Sequence, residues 1–170
     1  LGIEKALQAF MQTSNLKHKK VAIIGAGGAA RAVAYAVKKL GAKACVFNRT
    51  LLKAKAVAQK YGFEYAPLSP DGDEKLEKYS SLIIQTTSKG MGDSSSSNEE
   101  NDPIWFHEFS GNEKLFDIVY VPETTPVMAR AKSAGCQVCN GTPMLLYQGY
   151  EQFRLFTGHS YIINTEESAK

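Results

Sequence analysis

Little in this sequence marks it for a membrane, a disulfide framework or a nucleic acid. Among its 170 residues no apolar run is long enough to cross a bilayer, and Leu1 opens neither a signal peptide nor a transit peptide. Cysteine is scarce: three residues, an odd number, argue for a reducing compartment such as the cytoplasm and against a disulfide scaffold. Cys136 and Cys139 form a C-x-x-C, but within a predicted strand, where residues three apart point to opposite faces. Core or edge packing is therefore expected of them, and no metal. His18, His107 and His159 have no partner at catalytic spacing and read as surface or structural. A net charge of +3 is too mild for nucleic acid, and the short Lys17-His18-Lys19-Lys20 run reads as a solvated strand entrance. What remains is an ordinary globular composition, 44% hydrophobic and 22% charged, with room for one sizeable core.

The most informative stretch present is Lys19-Lys20-Val21-Ala22-Ile23-Ile24-Gly25-Ala26-Gly27-Gly28-Ala29-Ala30-Arg31. An apolar, branched run breaks on glycine and an alanine-rich helical pattern follows at once. Gly25, Gly27 and Ala30 occupy the G-x-G-x-x-G/A positions of a dinucleotide-binding turn. There the first glycine permits the tight turn, the second lets backbone approach a pyrophosphate, and the small third residue lets helix pack on strand. The unpaired N–H groups and positive dipole end of the helix start suit phosphate. A glycine-rich turn without a ligand is the plain alternative, and the flanking strand and helix argue against it.

A second strand, Ala44-Cys45-Val46-Phe47, ends in Asn48-Arg49-Thr50. A unit that takes NAD usually carries Asp or Glu here for the ribose hydroxyl. This chain has neutral Asn48, then Arg49, with Lys53 four residues on and able to share a helix face with it. Arg49 can clamp a 2′-phosphate, Thr50 can donate to it and Lys53 can add charge. Two solvated surface cations are the bland reading of Arg49 and Lys53; the missing acid tips the balance to NADP over NAD.

The rest of the chain alternates strand and helix. An amphipathic helix is predicted over 1–14, then helices over about 29–40 and 51–61. A short strand near 63–66, a weak helix near 74–79 and a strand over 81–86 follow. A strand over 114–120 precedes a helix starting near Thr125-Pro126, and a strand over 137–140 precedes a long helix over about 143–157. This rhythm predicts an α/β fold, a Rossmann-like doubly wound parallel sheet with helices on both faces and ligands at the strands' carboxyl ends. The serine-rich acidic stretch 93–102 reads as a mobile polar loop without chemistry, and the tail 159–170 as partly ordered at most.

Taken in order, the motifs resemble the carboxyl-terminal NADP domain of the shikimate dehydrogenase family. Gly25-Ala26-Gly27-Gly28-Ala29 resembles its phosphate loop, and Asn48-Arg49-Thr50-Leu51-Leu52-Lys53 its N-R-T-x-x-[RK] element. Thr86-Thr87-Ser88-Lys89-Gly90-Met91 resembles its A-T-S-x-G-M turn, with Gln85 and Thr86 departing from the commoner Asn-Ala. Asp117-Ile118-Val119-Tyr120-Val121-Pro122 with Thr125-Pro126 resembles its D-x-x-Y-x-P…T-P run. Gly141-Thr142-Pro143-Met144-Leu145-Leu146-Tyr147-Gln148, then Phe153 and Thr157-Gly158, resembles its G-x-x-M-L-x-x-Q…F…T-G ending.

The resemblance implies a cofactor site of Gly25, Ala26, Gly27, Gly28, Ala29, Asn48, Arg49, Thr50, Lys53, Thr87, Ile118 and Gly141. Ile118 and Gly141 would line its nicotinamide end. It implies that Tyr120 and Gln148 meet the substrate, although each could pass for an ordinary surface residue without the flanking motifs. It also implies a substrate domain upstream of residues 1–158, supplying a catalytic lysine and aspartate that no residue here matches. The chain is thus expected to be the cofactor half of an NADP-linked oxidoreductase of the shikimate pathway, serving aromatic amino-acid biosynthesis and inactive by itself. A quinate/shikimate or other NADP-dependent dehydrogenase is one alternative, and a non-catalytic NADP-sensing module another. The joint presence of Tyr120 and Gln148 favours the enzyme. Neither a nucleic acid nor a membrane is expected as partner.

Overall fold

Branched apolar residues at successive positions leave no polar face on the first strand, which forces it into the middle of a sheet covered on both sides. The computed structural model describes residues 2–157, except the side chains of 151–154 and 156. Its strands are β1 (Lys20–Ile24), β2 (Lys43–Asn48), β3 (Glu64–Pro67), β4 (Leu82–Gln85), β5 (Lys114–Asp117) and β6 (Gln137–Cys139). They form one sheet in the order β3-β2-β1-β4-β5-β6, every pair parallel. The sheet is parallel and doubly wound, as the motif rhythm predicts, and its order places the switch point between β1 and β4.

The helices are α1 (Gly2–Met11), α2 (Gly28–Lys39), α3 (Leu51–Tyr61), α4 (Asp73–Lys78), α5 (Pro126–Ser133) and α6 (Thr142–Thr157). Alternation along the strands divides the core in two. Val21, Ile23, Val46, Ile84 and Phe116 pack with α1, α2 and α3, and Met144 and Tyr147 of α6 join that layer. Ala22, Ile24, Phe47, Ile83 and Leu115 face α4 and α5 on the other side. Cys136, which precedes β6 rather than lying within it, belongs to the second layer and Cys139 to the first, and the three cysteines are free.

Three expectations are revised. The first helix stops at Met11 rather than near 14, because Gln12 takes a left-handed φ of 53°. Strand β5 ends at Asp117 rather than running to 120, because the buried Asp117 carboxylate accepts the Val119 N–H at 3.0 Å and turns the chain. The stretch 93–102, read as a mobile polar loop without chemistry, is a loop held around two buried side chains, Asn101 and Asp102. Asn101 donates to Asp93, Ser95 and the Ser96 carbonyl, while Asp102 accepts from Ser97 and Arg130. Polar groups taken out of water need such partners.

His107, expected to be structural, is buried with its ring nitrogens 2.8 Å from Asp73 and 2.9 Å from Glu113, whereas His18 is exposed. His159, Gly158 and the tail 159–170 lie outside the described residues. Among the described residues no helix is long and apolar enough to cross a membrane, and no three His, Cys, Asp or Glu side chains gather into a metal-holding group.

Because all six strands run the same way, the segments after β1, β2, β4, β5 and β6 emerge at one edge of the sheet. That edge carries the phosphate-loop glycines, Asn48 at the end of β2 with Arg49 and Thr50 after it, Thr87, Ile118, Tyr120 and Gly141.

Candidate functional site

The turn after β1 is held by its glycine. Gly25 takes φ +111°, and its N–H donates to the Phe47 carbonyl at 2.7 Å. A Cβ there would lie 2.5 Å from Thr86 Oγ1, which itself donates to the Ile24 carbonyl at 2.6 Å. The loop can therefore pass beneath Thr86-Thr87 only without a side chain. Ala26 is buried, whereas Gly27, Gly28 and Ala29 are exposed. Gly27 is the N-cap of α2, and no side chain caps that helix. A Cβ at Gly27 or Gly28 would meet nothing within 4 Å. An uncapped helix start with open space before it suits a phosphate group. Ala30, fully buried, seats α2 on the sheet.

At the end of β2, Asn48 donates from Nδ2 to the Thr50 carbonyl at 3.1 Å and so shapes the turn into α3. Arg49, Thr50 and Lys53 are exposed. Arg49 lines a cleft of about 300 Å³ together with Pro67, Ser69, Lys89, Glu99 and Trp105; Lys53, on the first turn of α3, is not among its lining residues.

A second cleft, about 330 Å³, opens between the segments that follow β4 and β5. Thr86, Thr87, Ser88 and Met91 form one wall and Ile118, Val119, Tyr120 and Val121 the other. That lining contains no carboxylate, amine or imidazole. Ile118 donates its N–H to the Gln85 carbonyl at 3.1 Å, and Gly141 donates to the Val119 carbonyl at 3.2 Å. The structure thus brings Thr87, Ile118, Tyr120 and Gly141 into one neighbourhood.

Beneath both segments lies a buried polar group whose part the sequence reading did not assign. Asp117 accepts from Val119 N at 3.0 Å, from Thr125 Oγ1 at 2.8 Å and from Gln85 Nε2 at 3.3 Å. Gln85 Nε2 also donates to the Thr87 carbonyl at 2.9 Å. Thr125 is at once the N-cap of α5, accepting from Met128 N, and Pro126 takes the first turn. Burial pushes the Asp117 carboxyl up to about 6, against hydrogen bonds that favour its charged form. This network fixes the Thr86–Gly92 loop against the Ile118–Tyr120 segment. The available signal was an acid at a strand end with threonine-proline eight residues on.

The two residues expected at the substrate stand on different elements, Tyr120 in the segment after β5 and Gln148 on α6. Tyr120 is 51% exposed at the mouth of the second cleft. Gln148 is exposed on α6, where that helix meets the start of α1: a Cβ on Gly2 would come within 2.8 Å of Gln148 Cγ. Two clefts lined by Tyr120, that one and another bounded by Thr142 and Pro143, do not include Gln148 in their linings.

Known proteins resemble this chain in sequence and in fold. The sequence profile described as "Shikimate / quinate 5-dehydrogenase" matches residues 5–103, and that described as "Shikimate 5'-dehydrogenase C-terminal domain" matches 141–160. Shikimate dehydrogenase (NADP(+)) of Maridesulfovibrio salexigens is 40% identical over 82% of this chain and 49% of its own. Among solved structures, shikimate dehydrogenase of Aquifex aeolicus superposes with a TM-score of 0.80 at 34% identity, over 95% of this chain and 56% of that one. Shikimate 5-dehydrogenase of Thermus thermophilus, solved with NADP(H) and shikimate, gives 0.74 at 31% identity, over 95% and 58%. The chain spans about half the length of the relatives it matches.

Proposed function

The chain belongs to the shikimate / quinate 5-dehydrogenase family, and from that membership we propose that it is the NADP-binding half of a dehydrogenase interconverting shikimate and 3-dehydroshikimate. The observation that carries the proposal is an uncapped, exposed helix start at Gly27–Ala29 sharing one sheet edge with Arg49, where the strand end offers Asn48 in place of an acid. The backbone of Gly25–Ala29 would hold the pyrophosphate, and Arg49, Thr50 and Lys53 the adenosine end with its 2′-phosphate. Thr87, Ile118 and Gly141 would flank the nicotinamide, in the cleft whose walls the Gln85–Asp117–Thr125 network positions.

When bound, the cofactor supplies or accepts the hydride. The apolar wall at Ile118 and Val119 would exclude water beside the nicotinamide, and the Tyr120 hydroxyl would orient a substrate hydroxyl. The cleft lining holds no group fit to move the hydroxyl proton near neutrality. The acid–base pair is accordingly assigned to a substrate domain shared with this one, which Gln148 on α6 would also face. Residues 1–158 form the cofactor domain in this reading, and by themselves they would bind NADP without turning over shikimate. Three free cysteines fit a reducing cytoplasm.

Titration calorimetry with NADP and NAD tests the proposal. Arg49→Ala is expected to weaken NADP by about tenfold or more, the worth of one charge-assisted hydrogen bond, while NAD changes little. Equal losses for both nucleotides, or no nucleotide binding by the unsubstituted chain, would refute it.

A further inference from the structure

The second cation beside Arg49 comes from an unexpected place. Helical spacing nominates Lys53, yet the cleft at Arg49 is closed by Lys89, delivered from the loop after β4. We propose that Lys89 and Trp105, with Arg49, form the recess for the cofactor's 2′-phosphate and purine, and that Lys89 sets the preference for the phosphorylated nucleotide. This rests on the NADP reading above and specifies residues that reading left out.

Three observations support it. Lys89 is tethered, its Nζ donating to the Glu99 carbonyl at 3.0 Å, which leaves two of the ammonium's three N–H groups for a ligand. A side chain already fixed loses less freedom when an anion arrives than an exposed lysine such as Lys53 would. Next, Lys89 and Arg49 line one cleft, and there burial and then the Arg49 charge hold the Lys89 ammonium below its usual range. Two like charges sharing a recess are relieved by an anion between them, and a phosphate carries about two negative charges near neutrality. Glu99, Glu100 and Asp102 act on Lys89 in the opposite sense, but Asp102 is already engaged by Arg130 Nε at 2.9 Å and by Ser97 Oγ at 2.7 Å.

The remaining wall is aromatic. Trp105 is 41% exposed in the same cleft, with its ring edge-on to Phe106 at 5.7 Å. A partly exposed indole beside two cations offers the flat, polarisable face that a purine stacks on. Arg130 keeps that wall in place, donating to the Ile104 carbonyl at 2.7 Å and to the His107 carbonyl.

The test uses the full chain and four probes: NADP, NAD, adenosine 2′-monophosphate and adenosine 5′-monophosphate. Trp105 is the sole tryptophan, so intrinsic indole fluorescence reports on this wall alone. Its emission should change saturably with NADP and with the 2′-monophosphate. Lys89→Met should lose about five- to tenfold in affinity for those two and less than about twofold for NAD and the 5′-monophosphate, with Lys53→Met losing less. Lys89→Arg should retain the preference and show that the variant's loss is one of charge. A Lys89→Met protein that keeps its NADP preference while Arg49→Ala loses it would overturn the assignment of Lys89 and leave the NADP reading standing. Equal loss of NADP and NAD would also overturn it, placing Lys89 on the shared pyrophosphate. No nucleotide binding by the unsubstituted chain would remove both.

Discussion

Gly141 and Ile118 meet backbone to backbone: a Cβ on Gly141 would lie 2.0 Å from the Ile118 carbonyl oxygen and 2.7 Å from its carbonyl carbon. That contact joins the segment after β6 to the segment after β5, so the cleft wall depends on a residue without a side chain.

Gly141→Ala should therefore destabilise the protein, because the methyl group can be accommodated only by moving Ile118 or α6. Overpacking of this kind costs about 1–3 kcal/mol, sometimes more. Gly149→Ala is the matched control: it lies within α6, and its Cβ would meet nothing within 4 Å. Replacing a mid-helix glycine there should be neutral or stabilising by up to about 1 kcal/mol. The urea unfolding midpoint should fall in Gly141→Ala and stay level or rise in Gly149→Ala, and a Gly141→Ala midpoint equal to the parent's would show that the two segments are not locked.

Asp117 should give stability an unusual pH dependence. A carboxyl raised to about 6 from an ordinary 3.8 binds its proton more readily folded than unfolded. Its contribution is full below about pH 4 and is lost as pH rises through about 6, with an upper magnitude of roughly 3 kcal/mol. Glu113 has the opposite sign. Burial works upward on it, but hydrogen bonds from Ser110 and His107 outweigh burial and bring it to about 2. Its stabilisation, present above about pH 4.5, goes as pH falls through about 2, below the Asp117 window. Asp117→Asn has the shape of the protonated acid, and Thr125 Oγ1 can rotate to accept from the new amide. Unfolding free energies at pH 4.5, 5.5 and 7 should fall with pH in the parent and flatten in Asp117→Asn relative to it. Parallel curves would mean that Asp117 titrates as an ordinary acid.

These residues also show what the sequence could and could not disclose. The parallel, doubly wound class of the sheet and most helix spans were legible because runs such as Val21-Ala22-Ile23-Ile24 followed by Gly25 are local patterns, and local patterns survive folding; the order of the strands became visible only in the fold. The end of β5 was not, since Lys114–Tyr120 reads as one strand and only the buried Asp117 carboxylate, accepting the Val119 N–H, shortens it. The 93–102 stretch misled in the same way. Four serines and several acids look solvated by composition, and their order comes from Asn101 and Asp102 being pulled inside by partners as distant as Arg130. At the candidate site, Arg49 was legible from its motif. Lys89, 40 residues further on, shares its cleft only because β4 and β2 flank the same central strand.

Gln148 offers the sharpest test of the substrate side. It is exposed on α6, against the start of α1. An exposed helical glutamine with no burial to lose should contribute little to folding, so Gln148→Ala should leave thermal stability within about 0.5 kcal/mol of the parent. In the complete enzyme the same amide, enclosed against the substrate domain, would both donate to and accept from a ring hydroxyl. Its removal would leave that hydroxyl desolvated and unpaired, at about 1–3 kcal/mol, or roughly five- to 150-fold in kcat/KM for shikimate. NADP affinity should hardly change, because the glycine loop and Arg49 lie on other segments of the sheet edge. Steady-state kinetics and NADP titration on one preparation of the variant decide the matter. Unchanged kcat/KM returns Gln148 to the ordinary helix surface, and a loss confined to NADP affinity assigns it to the other ligand.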